Sequence, residues 1–175
     1  MKNRKTIILL ILAVIILGGG YVMVKNSKIT NITGTTMNLS SPAFDNGGVI
    51  PSIYTCRGAG NHPLLEIGGV PAGTLSLALI VDDPDAPSGD FVHWILWNIA
   101  PDIKEINTTL PLDSLEGENS VGDTGYFAPC PPSGTHRYYF KLYALDKKLE
   151  LPTATSKLEL EKAMTGHIIE RAELV

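Results

Sequence analysis

The 175-residue sequence predicts a mostly β domain with one late helix, standing behind an apolar N-terminal segment. Three observations carry this. Apolar residues recur at period two in Thr74 to Val81, Phe91 to Ile99 and His136 to Leu145, with Gly, Pro, Asn or Asp between the runs. Ser156-Lys157-Leu158-Glu159 has the spacing of a capping box and leads into apolar residues at helical spacing. Lys2, Arg4 and Lys5 precede an unbroken apolar run from Ile7 to Leu17. Strands rich in turn signals with a single amphipathic helix argue for antiparallel sheet with helical decoration.

At the N-terminus the apolar character resumes after Gly18-Gly19-Gly20 through Tyr21 to Val24, giving about 18 residues, roughly 27 Å as a helix and just enough to cross a hydrocarbon core. No Ala-x-Ala site follows, and no Cys stands where a lipoprotein needs one. Residues 1–25 therefore read as an uncleaved signal anchor or transmembrane helix, with a cleaved signal peptide and a secreted domain as the alternative. Either way the basic end stays in the cytoplasm and the domain lies outside it. Residues 26–36, rich in Ser, Thr, Asn and Gly, read as a linker, and 37–175 as one domain. A formal charge of -4 offers no broad basic surface, which argues against a nucleic-acid partner.

Met37 to Val49 alternates short apolar stretches with turn signals and suggests short strands. Ser52 to Leu64 reads as loop. Thr74 to Val81 has Leu75, Leu77, Leu79 and Val81 on one face and Ser76, Ala78 and Ile80 on the other, so both faces are expected to be buried and the strand to end at Asp82. Phe91 to Ile99 places His93 with Ile95, Trp97 and Ile99. Pro101 to Gly125 reads as a long polar connection. The last strand in this reading is His136 to Leu145. From Ser156, Leu160, Ala163, Met164, His167 and Ile168 predict a helix of about four turns lying on the sheet.

Two polar clusters interrupt these apolar strands. Asp82-Asp83-Pro84-Asp85-Ala86-Pro87 follows one strand, and its prolines stiffen the segment that presents the carboxylates. Taken alone, such acids cap turns. His93 needs a polar partner wherever it is buried, and taken alone it is more often a satisfied core histidine than a ligand. Pro131-Pro132-Ser133-Gly134-Thr135-His136-Arg137-Tyr138 opens the later strand, and backbone N–H groups around Gly134 suit an anion. The histidines and acids lie on distant segments without the local spacing of a metal site, and neither Ser88 nor Ser133 has a nucleophile-elbow context. Cys56 and Cys130 are the only cysteines; an extracytoplasmic domain favours joining them, and two buried thiols are the alternative.

Jointly these pieces resemble the phosphatidylethanolamine-binding protein family, and within it the prokaryotic branch called Raf kinase inhibitor-like proteins. The segments concerned are Ala78 to Pro87, Phe91-Val92-His93-Trp94, Pro129 to Tyr138, Leu142-Tyr143-Ala144-Leu145-Asp146, Lys162 to His167 and Ala172-Glu173-Leu174-Val175. The resemblance implies an antiparallel β-sandwich with a C-terminal helix and a small anion pocket at one end. Its ligand-binding set, carried over by position, is Asp83, His93, His136 and Tyr138, with Asp85 and Arg137 supporting the walls and Gly134 in the turn. It implies a phosphate-like or phospholipid head-group ligand and a possible protein target, a protease or kinase being inhibited through surface loops. No cofactor or metal is implied and no catalytic residue is assigned; an unrecognised hydrolase stands as a further alternative to the binding module and the inhibitor. Two departures stand out: His62-Pro63-Leu64-Leu65-Glu66-Ile67 lacks the branch's tryptophan, and Phe127-Ala128 replaces two glycines, adding bulk at the expected pocket mouth.

Overall fold

A computed structural model describes residues 36–175 of the chain. The expected anchor, and the linker apart from Thr36, lie outside that range. Eight strands and one α-helix follow in order: β1 Asn38–Ser40, β2 Leu65–Gly68, β3 Ser76–Asp83, β4 Phe91–Ile99, β5 Glu105–Ile106, β6 Leu115–Glu116, β7 Tyr139–Leu145, α1 Lys157–Met164 and β8 Ile168–Leu174. They form a five-stranded sheet in the order β6-β4-β3-β7-β8 and a three-stranded sheet in the order β1-β2-β5. Every described pairing is antiparallel.

The central strand β3 is buried along its whole length because both faces are covered. Leu77, Leu79 and Val81 pack with Trp94, Leu96, Phe140 and Leu142 against Leu39, Leu65, Ile67 and Ile106 of the small sheet. Ala78 and Ile80 join Ile95, Trp97 and Leu145 beneath Leu160 and Met164 of the helix. A strand between two such layers cannot keep a polar face, which explains its nearly continuous apolar sequence. Leu79→Ala, which opens a void at the middle of the intersheet layer, is expected to cost about 2–5 kcal/mol in a urea unfolding titration; a loss below 0.5 kcal/mol would contradict this packing.

Several boundaries differ from the sequence reading. The helix has its capping box, Ser156 accepting from the Glu159 N–H while Glu159 Oε2 accepts from the Ser156 N–H at 2.8 Å, but it ends after eight residues. Thr165 leaves helical geometry and Gly166 takes φ +81°, a left-handed stop that glycine tolerates. Ile168 then starts β8, where alternation brings Ala172 and Leu174 into the core. His167 instead approaches Asp146, with Nδ1 to Oδ1 at 2.9 Å. β3 continues through Asp83, and β7 begins at Tyr139, leaving His136 to Tyr138 in the preceding loop. The long connection after Pro101 holds β5 and β6, and Leu65–Gly68 pairs as β2. Among the described residues no helix is long and apolar enough to cross a membrane.

One irregularity positions the site. Val81 pairs with Trp94, but the next residue, Asp82, pairs with Val92, so His93 is an extra residue in β4 opposite no partner. Such a β-bulge re-aims its side chain. Strict alternation would send His93 to the helix-covered face with Ile95 and Trp97; the bulge turns it toward the face that carries Asp83.

Candidate functional site

The three acids after Val81 have three separate roles. Asp82 is fully buried on the helix side, where Lys141 Nζ lies 2.7 Å and Lys157 Nζ 2.5 Å from its carboxylate; Lys157 also bonds Asp90. Burial works against the Lys157 charge, but its bonds to Asp82 and Asp90 outweigh that and hold its pKa above the usual ammonium value. This cluster pins the start of α1 to the sheet. Asp83, one residue on, faces the other way.

Asp85 joins two loops. Its Oδ2 accepts from the Arg137 backbone N–H at 2.9 Å and from Nε at 2.8 Å, and its Oδ1 accepts from Nη2 at 2.6 Å. Those bonds hold the Asp85 carboxyl well below the usual carboxylate range. A depressed folded pKa means that the link adds stability above the unfolded value near 3.8 and loses it as pH falls further. The fork of donors on a carboxylate fixes the angle between the Asp-Pro-Asp segment and the loop before β7.

Between these loops, at the end of the sandwich, lies a cavity of about 150 Å³ lined by Asp83, Phe91, His93, His136 and Tyr138, with Ala86, Pro87, Ser88, Phe127 and Cys130 to Pro132 completing its walls. Asp83 is 3 % exposed, its Oδ1 accepting from the Asp85 N–H at 2.9 Å and its Oδ2 lying 2.7 Å from His136 Nδ1. His93 Nδ1 donates to the Phe127 carbonyl at 2.6 Å, and the Phe127 N–H returns a bond to the His93 carbonyl. Both imidazoles thus have Nδ1 committed within the protein and no protein partner for Nε2 among the described residues. Burial pushes the His93 pKa down, keeping that ring neutral at pH 7, against the smaller opposing influences of the Phe127 bond and Asp83.

Tyr138 stands beside both rings, 5.2 Å from His93 and 6.5 Å from His136 between centroids. Its hydroxyl is buried and has no hydrogen-bond partner in the protein. Burial, then the negative charges of Asp83 and Asp85, push its pKa up to about 12, so it remains a donor at neutral pH. Phe91 and Phe127, with centroids 5.7 Å apart, add apolar area to the cavity wall. Ser88 lines the cavity but bonds neither histidine.

The structure therefore brings Asp83, His93, His136 and Tyr138 to one cavity. Asp85 and Arg137 lie behind its wall as the lock between the loops, and Gly134, at φ +70°, lines a neighbouring groove. Cys56 and Cys130 are joined, with Cα atoms 5.4 Å apart, and Cys130 belongs to the cavity wall. Among the described residues no three His, Cys, Asp or Glu side chains converge as a metal ligand set.

Residues 40–175 match the family profile described as phosphatidylethanolamine-binding protein. The chain belongs to the phosphatidylethanolamine-binding protein family. A UPF0098 protein of Methanothermobacter thermautotrophicus is 48% identical over 145 residues, which are 79% of this chain and 96% of that one. Among solved structures, a phosphatidylethanolamine-binding protein homologue from Chlamydia trachomatis superposes with a TM-score of 0.76 at 42% identity, covering 79% of this chain and 94% of its own. The Escherichia coli protein YbcL, described as a new member of the mammalian phosphatidylethanolamine-binding protein family, gives 0.74 at 29% identity, covering 80% of this chain and 96% of its own. These relatives and solved structures come from archaea and bacteria, and the chain falls in the prokaryotic branch of the phosphatidylethanolamine-binding protein family.

The two departures from the family pattern have structural counterparts. Phe127, in place of a glycine, contributes its ring to the cavity wall while its main chain holds His93. Ile67, where the branch carries tryptophan, is buried in the intersheet core, and His62 stacks on Trp94 at 4.5 Å. Sequence reasoning missed Lys141, Lys157 and Asp90. Their signal was a buried acid in need of cations, but the sequence does not show which of three neighbouring acids points toward the helix.

Proposed function

We propose that this protein is a membrane-tethered, non-catalytic binding module whose cavity takes an anionic head group of the phosphate or phospholipid kind. The observation that carries the reading is the Tyr138 hydroxyl, buried without a partner between two imidazoles whose Nδ1 atoms are already committed. A buried polar group left unpaired costs about 1–3 kcal/mol, which a ligand oxygen accepting its proton recovers. His93 and His136 supply Nε2 atoms from two sides, and Asp83 fixes the His136 ring by its bond to Nδ1. The apolar walls lower the local dielectric and strengthen each bond to the anion.

The tether in this reading is the apolar segment after Lys2, Arg4 and Lys5, with the domain on the extracytoplasmic side. The Cys56–Cys130 disulfide supports an oxidising compartment. A domain secreted after cleavage is the alternative that a size comparison of the mature protein separates.

Calorimetric titration of the full-length chain with phosphoethanolamine between pH 5 and 8 tests the head-group reading. An anion held against Nε2 favours a proton there, on the ring or on the ligand oxygen, so binding takes up protons. The His93 pKa is depressed in the free protein and rises in the complex, so affinity increases as pH falls through the window between those two values and levels off below it. The expected outcome is tighter binding at pH 6 than at pH 8 with proton uptake; no binding at any pH overturns the proposal.

A further inference from the structure

The two ends of the sandwich differ in what meets there. The cavity stands at the Asp83 end of β3. The described chain begins at the opposite end: the Met37 N–H donates to Glu170 Oε1 at 3.0 Å, and the Thr36 carbonyl lies so close to Gly69 that a Cβ there would collide with it. Glu170 pairs with Ala144 and Leu174 with Phe140, so β8 also runs from this entry end toward the cavity end. β3 spans eight residues, which separates the two ends by about 25 Å.

Large apolar side chains are exposed at the entry end, Leu75 by 56%, Ile168 by 46% and Ile169 by 41%. Leu75 and Ile168 flank one residue, the Leu75 N–H donating to the Leu145 carbonyl at 2.8 Å while Ile168 pairs with Leu145 from the other side. Asp146 and Glu170 are already engaged here, Asp146 with His167 and Glu170 with the Met37 N–H. Lys147, Lys148 and Arg171 are exposed and make no ion pair among the described residues. Apolar side chains beside unpaired cations are the composition of a surface that lies on an anionic bilayer. Apolar exposure alone does not single out this end, since Val49 is 86% exposed in the groove beside the cavity. Chain length decides it. Residues 26–36 carry Lys28 and no acid, and a stretch of that length and composition has a mean span of about 18 Å as a random coil. That span brings the entry end to the membrane, whereas bringing the cavity there would need the same stretch to run back along the length of the domain.

We infer that the entry end is a bilayer-docking face, Leu75, Ile168 and Ile169 entering the interfacial layer while Lys147, Lys148 and Arg171 meet anionic head groups of the same membrane. This rests on the membrane-tether reading. Apolar faces of this kind settle about 5–10 Å into the boundary between head groups and acyl chains. The cavity consequently opens away from the membrane that holds the protein, and it meets its anion on the far side of the domain instead of in the leaflet beneath.

Paramagnetic relaxation in the full-length protein tests it, with the chain reconstituted in nanodiscs of phosphatidylcholine and phosphatidylglycerol doped with a gadolinium-chelating lipid. The amides of Leu75, Ile168 and Ile169 are expected to relax several-fold faster than those of Val49 and Gly134 at the cavity end, since the effect falls steeply with distance. Leu75→Glu combined with Ile168→Glu, both at exposed positions, is expected to abolish that difference. Equal relaxation at the two ends of the parent protein, or faster relaxation at the cavity end, overturns the docking face and leaves the tether standing. A difference that survives in the double variant overturns its assignment to these side chains. Protein recovered from its own cells without residues 1–25, or full-length protein that stays free of the nanodiscs, overturns the tether and this inference together.

Discussion

Removing the disulfide by Cys56→Ser and Cys130→Ser together is expected to lower unfolding stability by about 4–5 kcal/mol on the loop-entropy estimate. The bridge links residues 74 apart in sequence, and a cross-link that long removes many conformations from the unfolded chain. In the folded protein the neighbourhood has a second tie, the Cys56 N–H bond to the Pro129 carbonyl, so the native loops keep their contact when the sulfurs are gone. The loss therefore falls mainly on the unfolded side. Urea titrations of parent and variant measure it: the midpoint should drop and the m value should rise as the unfolded chain expands. A loss below 1 kcal/mol would show that the unfolded chain is already confined without the bridge.

The largest functional effect is expected in His93→Ala, His136→Ala, where phosphoethanolamine affinity should fall at least about 100-fold. Each imidazole offers one hydrogen bond to an anion, and bonds to charged groups are worth about 1.5–3 kcal/mol apiece. His93 is buried, and its removal also frees the Phe127 carbonyl, so this variant loses some stability as well. Tyr138→Phe separates the two effects. It deletes only a hydroxyl that has no partner in the protein, so thermal stability should hold or rise while affinity falls about fivefold or more. Unchanged affinity in both variants would mean that the ligand does not enter the cavity.

The long strands were legible because burial on both faces leaves a mark in composition: β4 runs from Phe91 to Ile99 as its apolar pattern indicates. The strands β1, β2, β5 and β6 have two to four residues, too few to establish a period, and are made by their partners. The helix is shorter than its apolar spacing predicts because Met164, His167 and Ile168 keep helical spacing, while the residues that end it, Thr165 and Gly166, act through backbone geometry. The resemblance collected Asp83, His93, His136 and Tyr138 into one set, and the cavity brings the four together; spacing alone could not have done so, since their proximity depends on the pairing of β3 with both β4 and β7. The division of labour among Asp82, Asp83 and Asp85 was illegible, because neighbouring acids differ only in which way the chain turns them.

The extra residue at His93 makes regular pairing and the placement of this imidazole in the cavity competing outcomes in one strand. A β4 without it would continue the ladder past Val81 and set position 93 opposite Asp82, beneath the helix and out of reach of Asp83. Substitutions that regularise this strand, the kind that stability screens reward, would thus tend to yield a sturdier protein with a blind pocket. In searches for more stable variants, the conformation of this one residue is the quantity to hold constant.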